Sequence, residues 1–354
     1  MPSQPVRVMI VEDSLVVRRL LAHIVSRDPR LTLAAAVGSA EEALQELPRI
    51  RPDVISMDIR LPGMDGLEAT RRIMAEQPTP IVVIADSVED SSLRISMNAL
   101  RAGALSVVEK PVGMETGGHE RVSEMICTQL YIMSQVPVIR RRMSAARLSR
   151  PTPAPARPEP VAPQAPAMLG IAASTGGPPA LAQVLGALSP QFPLPVLLVQ
   201  HMGAAFMEGF ASWLDGVVPL RVGIAQDGEV PRPGQVYVAP GNRHLLLAPK
   251  GVLRVTADPP VASQRPAATL LFRSMAGALG PRGLGVLLTG MGEDGALGLA
   301  EMRQAGAFTI TEHESTAVVY GMPAAAVRLG GSGLSLPLPL IGPHLQQLAL
   351  RATP

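Results

Sequence analysis

Short apolar runs rich in Val, Ile and Leu alternate with amphipathic stretches along most of the chain. This alternation is typical of α/β proteins, in which a helix follows each strand and packs back onto the sheet. We predict strands at residues 6–11, 32–37, 54–57, 81–85 and 104–108, and again at 168–173, 196–200, 235–239, 284–289 and 307–311. Residues 241–257 are predicted to contain a β-hairpin instead.

A proline-rich segment separates the two series of strands. Residues 150–166 include seven prolines and no apolar run that could form a core, so we expect an extended spacer there. The sequence therefore predicts an α/β protein of two doubly wound parallel-sheet domains, at 1–125 and 168–350. A linker with a helical start is predicted between them, at 126–167.

The distribution of charge argues against nucleic-acid binding. The chain of 354 residues carries a net charge of +2, but residues 140–167 hold six arginines and one acidic residue, so the remainder is net acidic. The single cysteine, Cys127, excludes an internal disulfide. No apolar run approaches the ~20 residues of a membrane span. We expect a cytoplasmic protein that does not insert into a membrane.

Charged residues follow three predicted strands of the first series. Glu12 and Asp13 follow the first strand, Asp58 follows the third, and Lys110 follows the fifth. Because doubly wound topology gathers strand ends at one edge, these side chains should lie close together. Carboxylate oxygens suit Mg²⁺, and a lysine ammonium suits a phosphate. Each acid taken alone could instead cap a helix or begin a turn.

A hydroxyl pair, Ser174 and Thr175, follows a predicted strand in the sequence GIAASTGGPP. A strand-to-helix turn offers free backbone N–H groups beside the side chain, which suits a nucleophile. It also suits a serine that caps the helix. A phosphate-binding loop is disfavoured because the lysine of G-x-x-x-x-G-K-[ST] is absent. The segment by itself leaves the nucleophile and the cap open.

Two other strand ends supply the partners that a nucleophilic serine needs. His201 and Asp294 each follow an apolar strand, so one sheet edge can gather them with Ser174 as base and orienting acid. Met291, between Gly290 and Gly292, can present a backbone N–H to an oxyanion. The alternatives are Glu293 for the acid, and His244 and His313 for the base.

The first half resembles the response-regulator receiver domain through VEDS, MDIRLPGMDG and EKP, over residues 6 to about 125. The resemblance implies a flavodoxin-like fold and phosphorylation of Asp58 by a CheA-type histidine kinase. It also implies Mg²⁺ held by Glu12, Asp13, Asp58 and the backbone carbonyl of Arg60. Lys110 would pair with the phosphoryl oxygens.

Three residues depart from the receiver pattern. Ala85 stands where receivers usually have Thr or Ser, although Asp86 and Ser87 follow it. Val107 replaces an aromatic residue, and the side chain of Arg60 adds positive charge beside the cation site. These departures put the usual coupling of phosphorylation to conformational change in doubt.

The second half resembles the CheB family of chemotaxis response-regulator methylesterases, through GIAASTGGP, VQHM, GQVYVAPGNRHL and GVLLTGMGEDGALGL. The resemblance implies a Rossmann-like domain that hydrolyses glutamate methyl esters on methyl-accepting chemoreceptors and releases methanol without a cofactor. Deamidation of receptor glutamines is a second activity of some members. Ser174 would attack the ester, His201 would act as base and acid, and Asp294 would orient His201. Thr175 and Met291 would donate backbone N–H groups to the oxyanion.

Two stretches depart from the CheB pattern and could touch substrate. Ala267 stands in an Arg-Pro-Ala sequence where Arg-Pro-Ser is usual, and residues 311–314 read Thr-Glu-His-Glu where Ala-Gln-Asp-Glu is common. A phosphorylation-regulated methylesterase is the function that the sequence favours. The alternatives are a phospho-regulated adaptor without catalytic activity and a generic Ser-His-Asp ester hydrolase.

Overall fold

The computed structural model describes residues 4–85, 99, 102–111, 118–136 and 165–350. Asp86, Ser87 and the proline-rich segment up to Gln164 lie outside the described residues. Two parallel sheets, each covered by helices, confirm the predicted α/β class. None of the helices in these ranges is long and apolar enough to cross a membrane.

The N-terminal domain has five parallel strands in the order β2-β1-β3-β4-β5, which is the flavodoxin-like order. The strands are β1 Val6–Val11, β2 Leu31–Val37, β3 Val54–Met57, β4 Ile81–Ala85 and β5 Ser106–Glu109. The described helices are α1 Leu15–Arg27, α2 Ala40–Ile50, α3 Gly66–Glu76 and α4 Gly118–Met133. The central strands β3 and β4 are fully buried, as expected for a sheet covered on both faces.

Three helices of this domain begin at polar caps that the sequence supplies. The side chains of Ser14, Ser39 and Asp65 each accept a hydrogen bond from the backbone N–H three residues later. These caps satisfy one of the free donors at each helix start. The loops that precede α1 and α3 contain Asp13 and Arg60, so the caps help to fix the acidic edge of the sheet.

The C-terminal domain has seven parallel strands in the order β14-β13-β12-β6-β7-β9-β8. The strands of this domain are β6 Met168–Ala173, β7 Val196–Gln200, β8 Arg221–Ile224, β9 Gln235–Val238, β12 Gly283–Leu287, β13 Phe308–Glu312 and β14 Leu334–Leu336. The antiparallel pair β10 His244–Leu247 and β11 Leu253–Thr256 forms the predicted hairpin. The helices are α5 Gly177–Gly186, α6 Met207–Asp215, α7 Ala268–Leu279, α8 Ala296–Gln304, α9 Met322–Arg328 and α10 Leu338–Leu350.

The chain order of the second sheet reverses between β6 and β12. From β6 the chain continues to β7 and β9 on one side, and it later returns to β12 and β13 on the other. Such a reversal leaves a crevice at the carboxyl ends of the strands, and ligands of open α/β sheets bind there. The crevice therefore lies between the turns that follow β6 and β12.

Candidate active site and phosphorylation site

Ser174, His201 and the turn that holds Asp294 follow three neighbouring strands, β6, β7 and β12. The backbone ladder continues past the strand ends: Ser174 N–H donates to the carbonyl of Thr289 at 3.0 Å, and His201 N–H donates to that of Ala173 at 3.0 Å. The sheet itself thus holds these residues at its carboxyl edge, beside the crevice.

In the turn after β6, the Ser174 hydroxyl does not cap the helix that follows. Gly176 occupies the cap position of α5 at φ +77°, a left-handed conformation that glycine adopts readily, and no side chain caps this helix. Within the described residues the Ser174 hydroxyl has no hydrogen-bond partner, although its side chain lines a cavity shared with His201. The capping interpretation of Ser174 is therefore wrong.

His201 and Asp294 form a buried pair. His201 Nε2 lies 2.8 Å from Asp294 Oδ2, and their side chains are only 6% and 3% exposed. His201 Nδ1 is also buried and has no hydrogen-bond partner among the described residues. The ring is thus held at one nitrogen, which leaves the other free to accept a proton.

The Asp294 carboxylate is anchored at the start of α7. It accepts hydrogen bonds from the backbone N–H groups of Ala268 at 2.7 Å, Thr269 at 3.0 Å and Gly295 at 2.8 Å. Burial raises the pKa of Asp294, but the hydrogen bonds from His201 and Thr269 outweigh burial and lower the pKa below its ordinary value of 3.8. Asp294 is therefore ionised at neutral pH, which suits the orientation of an imidazole.

Thr175 and Met291 keep their backbone N–H groups free. Neither N–H has an acceptor within the part of the chain that the structure describes. Both residues line the same cavity as Ser174. A Cβ on Gly290, which precedes Met291, would lie 2.8 Å from Cβ of Ser174, so only glycine allows the two turns to approach this closely. Two free donors next to a serine are the elements of an oxyanion hole.

The three alternatives for base and acid make other contacts. Exposed Glu293 pairs with Arg328 at 2.5 Å. Buried His244 accepts from Ala267 N–H at 3.1 Å and contacts the carbonyl of Pro259 at 3.2 Å. His313 contacts the Ser315 hydroxyl at 2.9 Å. None of the three lines the cavity around Ser174.

The N-terminal sheet gathers the predicted acidic edge. Oxygen atoms of Glu12, Asp13 and Asp58 all lie within 4.8 Å of one another. Buried Lys110 places its Nζ 2.9 Å from Asp58 Oδ2 and 3.0 Å from Glu12 Oε2. Arg60 donates its backbone N–H to Asp58 Oδ1 at 3.3 Å. Three converging carboxylates fit a hard divalent cation.

Burial and neighbouring charges shift the pKa values of the side chains at this edge. Burial and the neighbouring charge of Asp58 raise the pKa of Glu12 to about 7. Burial also raises the pKa of Asp58, which the hydrogen bond from Lys110 only partly offsets. For Lys110, burial lowers the pKa, but the contacts with Asp58 and Glu12 outweigh burial and raise it. A bound cation would relieve this repulsion.

The N-terminal domain lies over the crevice of the C-terminal domain. A cavity of about 420 Å³ separates Val107 and Gln129 on one side from Ser174 and His201 on the other. Gln129 Nε2, on α4, donates to the Thr175 hydroxyl at 3.1 Å. The residue next to Ser174 is therefore in direct contact with the N-terminal domain.

Comparison with known proteins agrees with both halves of this geometry. The family model for CheB methylesterase matches residues 169–345, and the model for the response regulator receiver domain matches residues 8–119. A relative from Paramagnetospirillum magneticum, named protein-glutamate methylesterase/protein-glutamine glutaminase 2, is 54% identical over 345 residues and covers 98% of each chain. The chain belongs to the CheB methylesterase family.

Other members of the CheB family also match this chain. A relative from Myxococcus xanthus, named protein-glutamate methylesterase/protein-glutamine glutaminase 4, is 46% identical and covers 92% of each chain. The crystal structure of the Thermotoga maritima CheB methylesterase catalytic domain is 35% identical, with a TM-score of 0.50. It covers 52% of this chain, and the match spans 98% of the Thermotoga domain.

Gln200 and Gln129 were missed as site residues in the sequence analysis, and Glu312 has a different role from the one expected. Gln200 and Gln129 bond to backbone or side-chain atoms of the Ser174 turn, and Glu312 accepts from Thr289 N–H at 2.9 Å. Residues 311–314 were expected to touch substrate, but Glu312 is fully buried and supports the turn after β12 instead. For Gln200 and Glu312 the available signal was a polar residue at or directly after the end of a predicted strand, in VLLVQ and FTITE.

Proposed function

We propose that this chain is a phosphorylation-regulated protein-glutamate methylesterase in which Ser174 is the nucleophile, His201 the base and Asp294 the orienting acid. The observation that carries the proposal is the buried His201–Asp294 pair at 2.8 Å, at the sheet edge that also holds Ser174. The free N–H groups of Thr175 and Met291 support it, because acyl transfer needs donors for the developing oxyanion.

The reaction follows from the contacts of each group. His201 Nδ1 takes the proton of the Ser174 hydroxyl as Oγ attacks the ester carbonyl, and the N–H groups of Thr175 and Met291 stabilise the oxyanion. Ionised Asp294 stabilises the imidazolium. The same ring nitrogen then protonates the leaving methoxide to give methanol. Water, deprotonated by His201, hydrolyses the acyl-enzyme. An amide substrate would release ammonia by the same steps, which agrees with the glutaminase in the names of the relatives.

Phosphorylation of Asp58 would control access to this site. The carboxylates of Glu12, Asp13 and Asp58 and the carbonyl of Arg60 would hold Mg²⁺, which neutralises charge during phosphoryl transfer. Lys110 would then pair with the phosphoryl oxygens. The contact of Gln129 with Thr175 supports control by occlusion, since separation of the domains would be needed to admit a protein substrate.

The matches to the two family models support a division of the chain into three segments. Residues 1–125 would be the receiver, 126–167 the linker and 168–350 the catalytic domain. The helix α4 Gly118–Met133 spans the proposed boundary and includes the helical start of the linker. The partners would be methyl-accepting chemoreceptors as substrate and a CheA-type histidine kinase as phosphodonor, in the cytoplasm.

The deciding experiment measures methanol release from methylated receptor. Ser174→Ala should lose at least about 10³-fold in rate, whereas Ser212→Ala, at an exposed serine of α6, should match the wild type. Equal rates for Ser174→Ala and the wild type would refute the nucleophile. Faster turnover of simple esters than of receptor methyl esters would indicate a generic hydrolase, and no turnover of either would indicate an adaptor.

Control by the receiver is tested with acetyl phosphate and Mg²⁺. The rate of the wild type should rise, while Asp58→Asn should not respond because it lacks the acceptor carboxylate. Asp53→Asn, at an exposed aspartate before β3, is the matched control and should respond like the wild type. Identical responses of Asp58→Asn and the wild type would show that Asp58 is not the switch.

A further inference from the structure

Gln200, the last residue of β7, makes two hydrogen bonds that the proposed reaction does not use. Its side chain is 1% exposed. The Nε2 atom donates to the carbonyl of Ser174 at 2.8 Å and to the carbonyl of His201 at 2.9 Å. One amide group thus joins the main chain of the proposed nucleophile to the main chain of the proposed base.

The bond to Ser174 determines where the Thr175 N–H points. The Ser174 carbonyl and the Thr175 N–H belong to the same peptide group, which is planar and trans, so they point in opposite directions. The Ser174 carbonyl accepts only two hydrogen bonds among the described residues, from Gly177 N–H at 2.8 Å and from Gln200 Nε2. Among the described residues, Gln200 is the only one whose side chain bonds to the carbonyl of this peptide group.

The second free donor is restrained differently. The carbonyl of Gly290, in the peptide group that carries the Met291 N–H, accepts from the backbone N–H groups of Gly321 at 3.1 Å and Met322 at 2.9 Å. Backbone alone orients that peptide. Of the two candidate oxyanion donors, only Thr175 depends on a side chain for its direction, and that dependence can be tested by substitution.

The surroundings of the amide fix its orientation. Gln200 Oε1 is buried and has no donor within the part of the chain that the structure describes, and a Cβ built on Gly177 would lie 2.1 Å from it. Rotating the amide would place its oxygen against two carbonyl oxygens and lose both hydrogen bonds. Gly177 has no side chain and therefore leaves room for Gln200 Oε1. The carbonyls of Ser174 and His201 require a donor, so Nε2 must face them.

We propose that Gln200 is a positioning residue that aligns the Thr175 N–H for transition-state stabilisation, an inference that rests on the proposed function. Gln200 acts by holding the 174–175 peptide group, so its loss weakens the hydrogen bond from the Thr175 N–H to the oxyanion. The oxyanion forms only during the reaction. Loss of the amide should therefore lower kcat and leave KM nearly unchanged.

The test uses the full-length chain with acetyl phosphate and methylated receptor. Gln200→Met conserves volume but removes both donors, and Gln200→Glu places a carboxylate oxygen where the donors were. We expect kcat to fall about 10²-fold in both variants, since removal of an oxyanion donor costs about 10²–10³-fold. The control is Gln346→Glu, a half-buried glutamine on α10 whose Oε1 accepts from Ser189 N–H at 2.8 Å, and it should keep the wild-type rate.

A second measurement separates positioning from general damage to the fold. The affinity for a glutamyl trifluoromethyl ketone, which forms a tetrahedral adduct with the serine, should fall by the same factor as kcat. The affinity for the demethylated receptor should stay unchanged. If Gln200→Glu does not fold while Gln200→Met does, Gln200→Met is the deciding variant.

The outcomes distinguish this proposal from the proposed function. Activity retained by Ser174→Ala refutes the nucleophile and with it the role of Gln200. An inactive Ser174→Ala together with a Gln200→Met that keeps kcat and ketone affinity within about threefold of the wild type overturns only the positioning role. A loss confined to KM also overturns it, because that result assigns Gln200 to ground-state substrate binding.

Discussion

Gln129 Nε2 lies 3.1 Å from Thr175 Oγ1, so a hydrogen bond connects helix α4, which spans the proposed boundary between receiver and linker, to the residue beside Ser174. The contact joins a helix that packs on the first sheet to the turn after β6 of the second sheet. Thr175 contacts α4 through its hydroxyl, while its backbone N–H is one of the two donors proposed for the oxyanion hole.

Gln129→Ala should raise the activity of the unphosphorylated protein. A neutral hydrogen bond contributes about 0.5–1.5 kcal/mol, so its loss should shift the equilibrium toward the open form by about 2- to 10-fold. Methanol release without acetyl phosphate measures this effect, and the phosphorylated rate should not change. Gln135→Ala, at an exposed glutamine just after α4, is the control. A basal rate equal to that of the wild type would show that this bond does not hold the domains together.

Thr175→Ala should behave like Gln129→Ala and unlike Ser174→Ala. The substitution retains the backbone N–H and removes only the hydroxyl that Gln129 contacts. We expect a basal rate raised by a similar factor, with no further increase in the double variant, because both changes break one bond. Rates measured for the two single variants and the double variant test this. A loss as large as that of Ser174→Ala would instead give the Thr175 hydroxyl a catalytic role.

Asp294→Asn should lower kcat by about 10³–10⁴-fold, because an amide cannot hold the required imidazole tautomer or stabilise the imidazolium. It should also lower the free energy of unfolding at pH 7 by about 2 kcal/mol, as the carboxylate accepts several backbone N–H groups. Kinetics and urea unfolding measure the two effects. Asp258→Asn, at an exposed aspartate, should change neither.

The difference in free energy of unfolding between the wild type and Asp294→Asn should decrease as the pH falls. The pKa of Asp294 is lowered from its ordinary value of 3.8 in the folded protein, so its stabilisation is complete above that value and is lost as the pH falls below it. Urea unfolding between pH 3 and pH 7 should show the two proteins converging at the acidic end. A difference that grows on acidification would contradict the ionised, anchored carboxylate.

Glu312→Gln should make the protein more stable at neutral pH. Burial raises the pKa of Glu312 above its ordinary value of 4.5, and the hydrogen bonds from Thr289 and Thr316 only partly offset burial. Between pH 4.5 and the raised pKa, Glu312 is protonated in the folded protein and ionised in the unfolded chain. The wild type therefore loses stability as the pH rises through this range. The urea midpoint of Glu312→Gln should exceed that of the wild type by a margin that grows from pH 5 to pH 8. Exposed Glu314→Gln should follow the wild type throughout.

Four strands whose predicted limits match the structure are buried along their whole length. The predicted limits of 54–57, 81–85, 168–173 and 196–200 agree with β3, β4, β6 and β7. The two edge strands of the second sheet, β8 and β14, were not predicted; they have four and three residues and no fully buried position. A short, half-exposed edge strand lacks the continuous apolar run that marks a buried one.

The sequence by itself determined the fold class and the residues at the strand ends, because burial of each strand leaves a local pattern and parallel topology then brings Ser174, His201 and the Asp294 turn together. Only the tertiary structure decided which polar groups touch. Gln129 and Thr175 are 46 residues apart, and Thr289 and Glu312 are 23 apart, so their contacts depend on how domains and strands pack. Gln200 shows the same limit within one strand: its position next to His201 is local, but its bond to Ser174 exists only because β6 and β7 pair.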